Sequence, residues 1–157
     1  MPQNTRSINY ETNVNVKAFL KLIRYAEHKR DDDRVYYLLY GGQQTFTDTS
    51  THPDLAILAW GKRSTAAGAY QIRKATWDEA VKNGIAMDFT PASQDKIALW
   101  LIQRRGALPH IQANELEKAI VLLRTEWVSL PGGTQSKMTI AEAKQRFEKY
   151  LTECKGR

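Results

Sequence analysis

A chain of 157 residues, 42% of them hydrophobic, can bury one sizeable core but not two well-packed ones, which predicts a single domain over residues 1–157. Its 23 basic and 17 acidic residues favour anionic partners such as nucleic acid, membrane surfaces or cell-wall polymers, but the basic residues form scattered pairs and not one nucleic-acid-binding run. The single cysteine, Cys154, excludes an intramolecular disulfide and a multi-cysteine metal site, and we expect neither a metal nor a cofactor.

The first segment, residues 1–12, is polar and is expected to be flexible. It has no apolar run of the kind that a secretory signal contains, and no later stretch approaches the roughly 18 apolar residues of a membrane span. The sequence therefore predicts a protein that stays in the cytoplasm where it is made and does not insert stably into a membrane.

A helix is predicted over residues 13–29, because Val16, Leu20 and Ile23 recur at helical spacing. The next position on that face is Glu27, so the apolar stripe ends in an acid. A carboxyl group held against apolar side chains loses hydration of its charged form, which raises its pKa and suits it to act as a general acid near neutral pH. The alternative is an exposed residue in a fraying last turn, where a charge costs little.

A β-hairpin is predicted next. Residues 35–40 are rich in strand-forming side chains, Gly41 and Gly42 can supply the positive φ angles of a tight turn, and residues 43–47 can return as a second strand. Residues 55–60 fit either a third strand or a short helix.

Helices are predicted for most of the remaining chain. Residues 70–82 are loosely helical, with Gly84 as the stop. Thr90 and Pro91 form an N-cap and first-turn pair for a buried helix that ends at Gly106.

Two more helices complete the pattern. Asn114 opens a helix whose apolar face continues to Trp127, and Thr139 with Glu142 makes a capping box for the last helix. Cys154 is expected to pack on that last helix. The inward-facing residues of the last helix are predicted to be Ile140, Ala143, Phe147, Tyr150 and Leu151.

Four motifs follow one another along the chain, namely RYAEHKR around Glu27, FTDTSTHPD at residues 46–54, STAAGAYQIRKATW at 64–77 and SQDKIALWLIQRRGALP at 93–109. Together they resemble the lambda-type lytic transglycosylases, and the resemblance runs in order from about residue 16 to residue 132. A lone G-A-Y-Q is a weak signal, but the joint order is specific. One departure is visible, because this chain has HKRDDD at residues 28–33 where the family pattern has a glycine-bearing segment.

The resemblance implies an α+β, lysozyme-like fold, mainly helical, with the small β-hairpin region flanking the catalytic cleft. It makes Glu27 the single catalytic acid, which first protonates the glycosidic oxygen and then acts as base. In the implied reaction the C6 hydroxyl of the muramoyl sugar closes a 1,6-anhydro ring, so no external water would be required. The implied protein is a monomer that cuts the MurNAc–GlcNAc β-1,4 bond of peptidoglycan for host cell lysis, without nucleic acid as a partner. A separate holin would release it from the host cytoplasm to the periplasm.

Substrate contacts are implied around a G-x-x-Q element at residues 68–71. A side-chain amide can donate and accept toward an N-acetyl group. Tyr70 either stacks on a sugar or fills the core, and Ser64 and Thr65 either bind sugar or cap the following helix. The residues expected to bind substrate are Gln71, Tyr70, Gly68, Ser64, Phe46, Thr47 and Asp48.

A second carboxylate matters because glycoside hydrolysis usually needs two. Asp48 and Asp54 are the candidates, but each is equally explained as a turn residue that bonds backbone amides. His52 has no partner at metal-ligand spacing and is interpreted as structural. The alternatives to a transglycosylase are a hydrolytic muramidase with a second carboxylate, a non-catalytic wall-binding module and, from charge alone, a small nucleic-acid-binding protein.

Overall fold

The computed structural model describes residues 13–156, so the predicted flexible segment at residues 1–12 lies outside the described residues. The described part contains α-helices, one 3-10 helix and a two-stranded antiparallel sheet, which confirms the predicted α+β class. The elements are α1 (Val14–His28), the 3-10 helix (Asp33–Tyr37), β1 (Ile57–Ala59), β2 (Lys62–Ser64), α2 (Lys74–Lys82), α3 (Pro91–Arg104), α4 (Leu108–Gln112), α5 (Leu116–Leu123) and α6 (Ile140–Lys155).

The described residues divide into two compact units, the first formed by residues 13–26 and 100–156, the second by residues 27–99. The prediction of one domain stays a prediction. In the first unit the predicted stripe of α1 is buried at Val16, Leu20 and Ile23. The ring of Phe19 meets that of Phe147 edge-on, with ring centroids 6.4 Å apart.

Side-chain caps begin two helices where the sequence predicts them. The Thr139 hydroxyl accepts a hydrogen bond from Glu142 N at 3.1 Å, and the Thr90 hydroxyl accepts from Ser93 N at 3.3 Å. The predicted inward position of Ile140 is wrong, since its side chain is 36% exposed on the first turn of α6. The other four predicted inward residues of α6 and its Cys154 are buried.

The helix predicted from Asn114 begins later and ends earlier than expected. Asn114 has a φ of +60° and lies in the turn that precedes α5, while the buried Trp127 lies beyond the end of that helix. The single-turn helix α4 is not predicted by the sequence pattern. The Asn15 side-chain amide donates to the carbonyls of Ile111 at 3.2 Å and Gln112 at 3.1 Å, so a distant side chain satisfies the end of α4.

In the second unit, the strand predicted at residues 35–40 is wrong in its first half. Asp32 caps the 3-10 helix there, because its carboxylate accepts from Arg34 N at 3.0 Å. Only the bridge between Leu38 and Thr45 remains of the predicted strand pair, although the turn between them does have positive φ at Gly41 and Gly42.

The regular hairpin lies instead at residues 57–64. Of the two structures that residues 55–60 could adopt, the strand is observed, since β1 pairs with β2. The two strands are joined by Trp60 and Gly61, whose φ angles are +52° and +72°. Two successive positive φ angles are the mark of a tight two-residue hairpin turn.

The helix predicted from residue 70 begins at Lys74. Ile72 pairs instead with Ala67 in an antiparallel bridge, with N to O distances of 3.1 and 2.9 Å. Thr65 accepts a hydrogen bond from Lys74 N at 3.1 Å and so caps α2, which is one of the two roles the sequence left open. Gly84, with a φ of +73°, follows the end of α2 as predicted.

Candidate active site

Glu27 is the next-to-last residue of α1, and its side chain is partly buried. The apolar stripe of Val16, Leu20 and Ile23 that leads to it is buried as predicted. Its neighbour in the chain, His28, ends the helix.

The segment after Glu27 departs from the family pattern, and the structure gives it a local role. Lys29 has a φ of +55°, the left-handed conformation in which helices commonly end. The Arg30 guanidinium pairs with Asp32 at 2.9 Å, and Asp32 caps the following 3-10 helix. The segment therefore ends one helix and begins the next without a glycine.

The carbonyl oxygen of Gly68 connects the end of α1 to the G-x-x-Q element. His28 Nε2 lies 2.9 Å from this oxygen, Gln71 Nε2 lies 3.0 Å from it and Gln71 N lies 3.2 Å from it. Because a carbonyl oxygen only accepts, His28 Nε2 carries a proton. Burial lowers the pKa of His28, which favours its neutral imidazole. One oxygen thus joins the residue beside Glu27 to Gln71.

The turn at residues 68–71 requires a glycine at its first position. Gly68 has a φ of +82°, and a Cβ there would lie 2.8 Å from Gln94 Cδ and 3.1 Å from Phe89 Cε2. Gln71 also has a positive φ, +50°. The backbone N–H of Gly68 donates to Leu38 O at 2.8 Å, so the turn is held from both sides.

Gln94 is a buried amide that organises this turn, a role that was not predicted from the sequence. Its side chain is 0% exposed, yet every polar atom is satisfied, as a buried amide requires. Oε1 accepts from Ala69 N at 2.9 Å, and Nε2 donates to Tyr36 O at 3.1 Å and Phe89 O at 3.0 Å. A polar residue three positions before Ile97 on the inward face of α3 was the available signal.

Tyr70 fills the core, which is the second of the two roles predicted for it. Its ring is 1% exposed and cannot stack on a sugar in this structure. Its hydroxyl donates to Asp95 at 2.5 Å, and Tyr36 donates to the same carboxylate at 2.8 Å. The rings of Tyr36 and Tyr70 meet edge-on, with ring centroids 6.3 Å apart. Asp95 was also missed, because its two partners come from distant parts of the chain.

Phe46 and Ser64 also have structural contacts. Phe46 is buried against Phe89, with ring centroids 5.8 Å apart. Ser64 is half-buried, and its hydroxyl accepts from Ala66 N at 3.1 Å. Thr47 is exposed. Of the residues expected to bind substrate, the structure brings Gly68 and Gln71 together with His28.

The two candidate second carboxylates lie in turns. Asp48 is exposed and accepts from Ser50 N at 2.9 Å and from the Ser50 hydroxyl at 2.6 Å, which lowers the pKa of Asp48. Asp54 has a φ of +51°, and its N–H donates to His52 Nδ1 at 2.9 Å. The Asp48 carboxylate therefore has the turn role that the sequence allowed, whereas Asp54 takes part in its turn through its backbone N–H.

His52 is buried and structural. Nε2 lies 2.7 Å from Ile72 O and Nδ1 accepts from Asp54, so both ring nitrogens are used. Burial lowers the pKa of His52 as well. Within residues 13–156, no three His, Cys, Asp or Glu side chains are grouped to hold a metal ion, and no helix is long and apolar enough to cross a bilayer.

Comparison with known proteins agrees with the arrangement of elements and motifs. The profile of the endolysin family matches residues 17–154. The endolysin of Escherichia phage lambda is 38% identical over 78% of this chain and 80% of its own, and that of Escherichia phage P2 is 36% identical over 77% and 82%.

Two solved structures are also similar. Phage lambda lysozyme complexed with a chitohexasaccharide has a TM-score of 0.75 at 32% identity, covering 99% of this chain and 97% of that one. Another structure of phage lambda lysozyme has a TM-score of 0.71 at 31% identity, covering 99% and 96%. The fold is therefore lysozyme-like, and the chain belongs to the endolysin family of lysozyme-like phage enzymes.

Proposed function

We propose that this endolysin degrades peptidoglycan as a lytic transglycosylase, cutting the β-1,4 bond between N-acetylmuramic acid and N-acetylglucosamine. Glu27 is its single catalytic carboxyl group, and the product carries a 1,6-anhydro-N-acetylmuramic acid end. The chitohexasaccharide bound to phage lambda lysozyme supports a β-1,4-linked aminosugar strand as the ligand.

The reaction needs one acid that changes roles. Protonated Glu27 gives its proton to the glycosidic oxygen as the bond to C1 of the muramoyl sugar breaks. The C6 hydroxyl of the same sugar then attacks C1, and the Glu27 carboxylate takes up the hydroxyl proton. The carboxyl group is regenerated and no water is consumed, so a second carboxylate to activate water is unnecessary.

The observation that carries this proposal is the shared acceptor at Gly68. Because His28 and Gln71 donate to the same oxygen, the acid and the amide are attached to one hydrogen-bonded frame. With Nε2 of Gln71 directed at Gly68, the amide oxygen is suited to accept from the N–H of an N-acetyl group. Tyr70 supports that turn from the core through Asp95.

The contacts of the other carboxylates also favour a single-acid reaction. Asp48 accepts from two donors of Ser50, and Asp54 occupies a left-handed turn position beside His52. The Asp48 carboxylate is thus engaged in its own turn, and the backbone of Asp54 is fixed by His52. We further propose that Thr47, Asp48, Ser64 and Phe46 shape the surroundings of the substrate.

The proposed setting follows from the same assignment. The enzyme would be a monomer held in the host cytoplasm before lysis, and a separate holin would open its route to the periplasm. Peptidoglycan, and not nucleic acid, is the anionic partner that the net charge of +6 would attract.

Mass spectrometry of the muropeptides released from purified peptidoglycan tests the reaction type. A transglycosylase leaves anhydro ends, whereas a hydrolase leaves reducing ends that are heavier by one water. Anhydro products are expected. Reducing ends alone would establish the hydrolytic alternative, and a folded protein that binds sacculi without releasing fragments would establish a wall-binding module.

A further inference from the structure

The turn of the β1–β2 hairpin presents an aromatic side chain to solvent. Trp60 is 78% exposed, whereas Trp77 is 9% and Trp127 is 3% exposed. An exposed indole gains no stability from burial, so its position in the fold needs another explanation.

The backbone conformation of Trp60 is also unfavourable for an aromatic residue. Its φ of +52° lies in the left-handed region, which Gly, Asn and Asp occupy readily and a bulky aromatic residue rarely does. Strained positions of this kind cluster at ligand-binding and catalytic sites. The hairpin therefore keeps a large ring at its tip despite an unfavourable conformation.

The ring of Trp60 is oriented by a second aromatic residue. Tyr40 meets it edge-on, with ring centroids 5.3 Å apart and an interplanar angle of 86°. Tyr40 follows Leu39, which pairs with Ala67, and β2 ends at Ser64. Both rings therefore stand on segments that lead into the turn at residues 68–71.

The surface around Trp60 combines apolar and basic groups. Leu58 is 61% exposed and lies directly opposite Arg63 in the hairpin register, so the two side chains share one face. Lys62, paired with Ala59, lies on the opposite face of the hairpin, and residues 55–64 contain no acid. An aromatic ring flanked by cations suits a ligand that has both apolar faces and carboxylates.

We propose that Trp60, oriented by Tyr40, is a platform on which a sugar ring of the peptidoglycan glycan strand stacks, apart from the bond being cut. The C–H face of a β-linked pyranose is apolar and packs on the negative face of an indole. Lys62 and Arg63 would attract the lactyl and stem-peptide carboxylates of the wall. This inference rests on the proposed function, because it names a second contact with the same polymer.

Titration calorimetry with chitohexaose at fixed salt tests the platform. Trp60→Ala should weaken binding roughly three- to tenfold, the range that one aromatic contact supplies. Trp60→Phe should keep most of the affinity, since it retains a ring, whereas Trp60→Leu should lose as much as Trp60→Ala. Met87→Ala is the matched control, because Met87 is 87% exposed and lies outside the hairpin. Equal affinity of Trp60→Ala and the unchanged protein would overturn the proposal.

Two further experiments distinguish binding to the peptidoglycan strand from binding to its charged groups or to a membrane. Arg63→Gln should reduce pelleting with purified sacculi in a salt-dependent way and leave chitohexaose affinity unchanged, because chitohexaose has no carboxylate. Vesicles of phosphatidylethanolamine and phosphatidylglycerol should bind the Trp60→Ala variant and the unchanged protein equally. If Trp60→Ala lost vesicle binding but kept its chitohexaose affinity, Trp60 would be a membrane contact and not a sugar platform.

The platform and the proposed reaction can fail separately. Chitohexaose binding is measured without turnover, so it reports on Trp60 whatever the products of peptidoglycan cleavage are. Loss of turnover in a Glu27→Gln variant that still binds chitohexaose through Trp60 would support both assignments.

Discussion

The imidazole Nε2 of His28 donates a hydrogen bond of 2.9 Å to the carbonyl oxygen of Gly68, forty residues away in the chain. The same oxygen accepts from the side chain of Gln71 at 3.0 Å. The end of the helix that carries Glu27 is therefore attached to the turn that carries Gln71 by hydrogen bonds rather than by apolar packing alone. These hydrogen bonds hold the turn at residues 68–71 in one geometry, which a sugar-binding site requires.

Glu27→Gln should remove nearly all lytic activity and leave the fold intact, because the amide keeps the shape of the carboxyl group but cannot transfer its proton. General acid–base groups contribute roughly 10²–10⁴-fold. The measurement is the rate of turbidity loss of a sacculus suspension, with circular dichroism to verify folding. Glu148→Gln, on an exposed position of α6, is the control. Unchanged turnover in a folded Glu27→Gln protein would end the assignment.

Asp48→Asn and Asp54→Asn should each retain a substantial part of the activity, since the sugar supplies its own hydroxyl as nucleophile. Asn can still accept the hydrogen bonds that Ser50 donates to residue 48. The same turbidity assay measures the effect. A loss in either variant as deep as that of Glu27→Gln, without unfolding, would point to a hydrolase with two carboxylates.

Gln71→Ala should weaken saccharide binding by roughly 1–3 kcal/mol if its amide pairs with a buried sugar group. Calorimetric titration of a chitin oligomer at fixed salt gives the affinity. Gln43→Ala, at an exposed position, removes the same amide from the surface and should have no effect. Unchanged affinity in Gln71→Ala would show that the G-x-x-Q element in this chain is only a turn.

Gly68→Ala should destabilise the protein far more than Gly84→Ala. Both glycines have positive φ, +82° and +73°, so both substitutions carry the strain of roughly 1–2 kcal/mol for a left-handed residue with a Cβ. Only at Gly68 would the Cβ also collide with Gln94, whereas at Gly84 no atom of residues 13–156, apart from its chain neighbours, lies within 4 Å. Urea unfolding of the two variants measures the difference. Equal losses of unfolding free energy in the two variants would mean that the Gln94 side chain can move aside for the added Cβ.

Stability should fall as the pH decreases below the ordinary histidine pKa of 6.5. Burial lowers the pKa of His28 and His52 in the folded protein, so in this range the unfolded chain binds protons that the folded one does not. The contribution of these two neutral histidines to stability is fully present above pH 6.5. It is lost as the pH falls from there through their lowered pKa values in the folded protein.

Urea unfolding between about pH 7.5 and pH 5 checks this dependence while carboxylates remain ionised. His28→Gln should flatten the slope and retain a donor for Gly68, so its activity should exceed that of His28→Ala. A slope unchanged by His28→Gln would show that His28 does not titrate differently in the folded and unfolded states.

Local patterns in the sequence were sufficient to predict the helices that have strong apolar periodicity or side-chain caps. The stripe from Val16 to Ile23 and the caps at Thr90 and Thr139 are formed by residues three or four positions apart, so their physics is contained within a few turns of chain. The motif order was likewise enough to indicate the family. Glu27 could be singled out because it interrupts a local pattern.

Tertiary structure decided the features that depend on partners far along the chain. Residues 33–37 form a 3-10 helix despite their strand-forming side chains, and the pairing of Ala67 with both Leu39 and Ile72 keeps residues 70–73 out of α2. Gln94 serves as an organiser of the turn only because Ala69, Tyr36 and Phe89 converge on it. Hydrogen bonds across tens of residues leave no periodic signal in the sequence, since either partner alone is an ordinary polar group. Burial turns such pairs into requirements, because an unpaired polar group inside the protein costs more free energy than local propensity supplies.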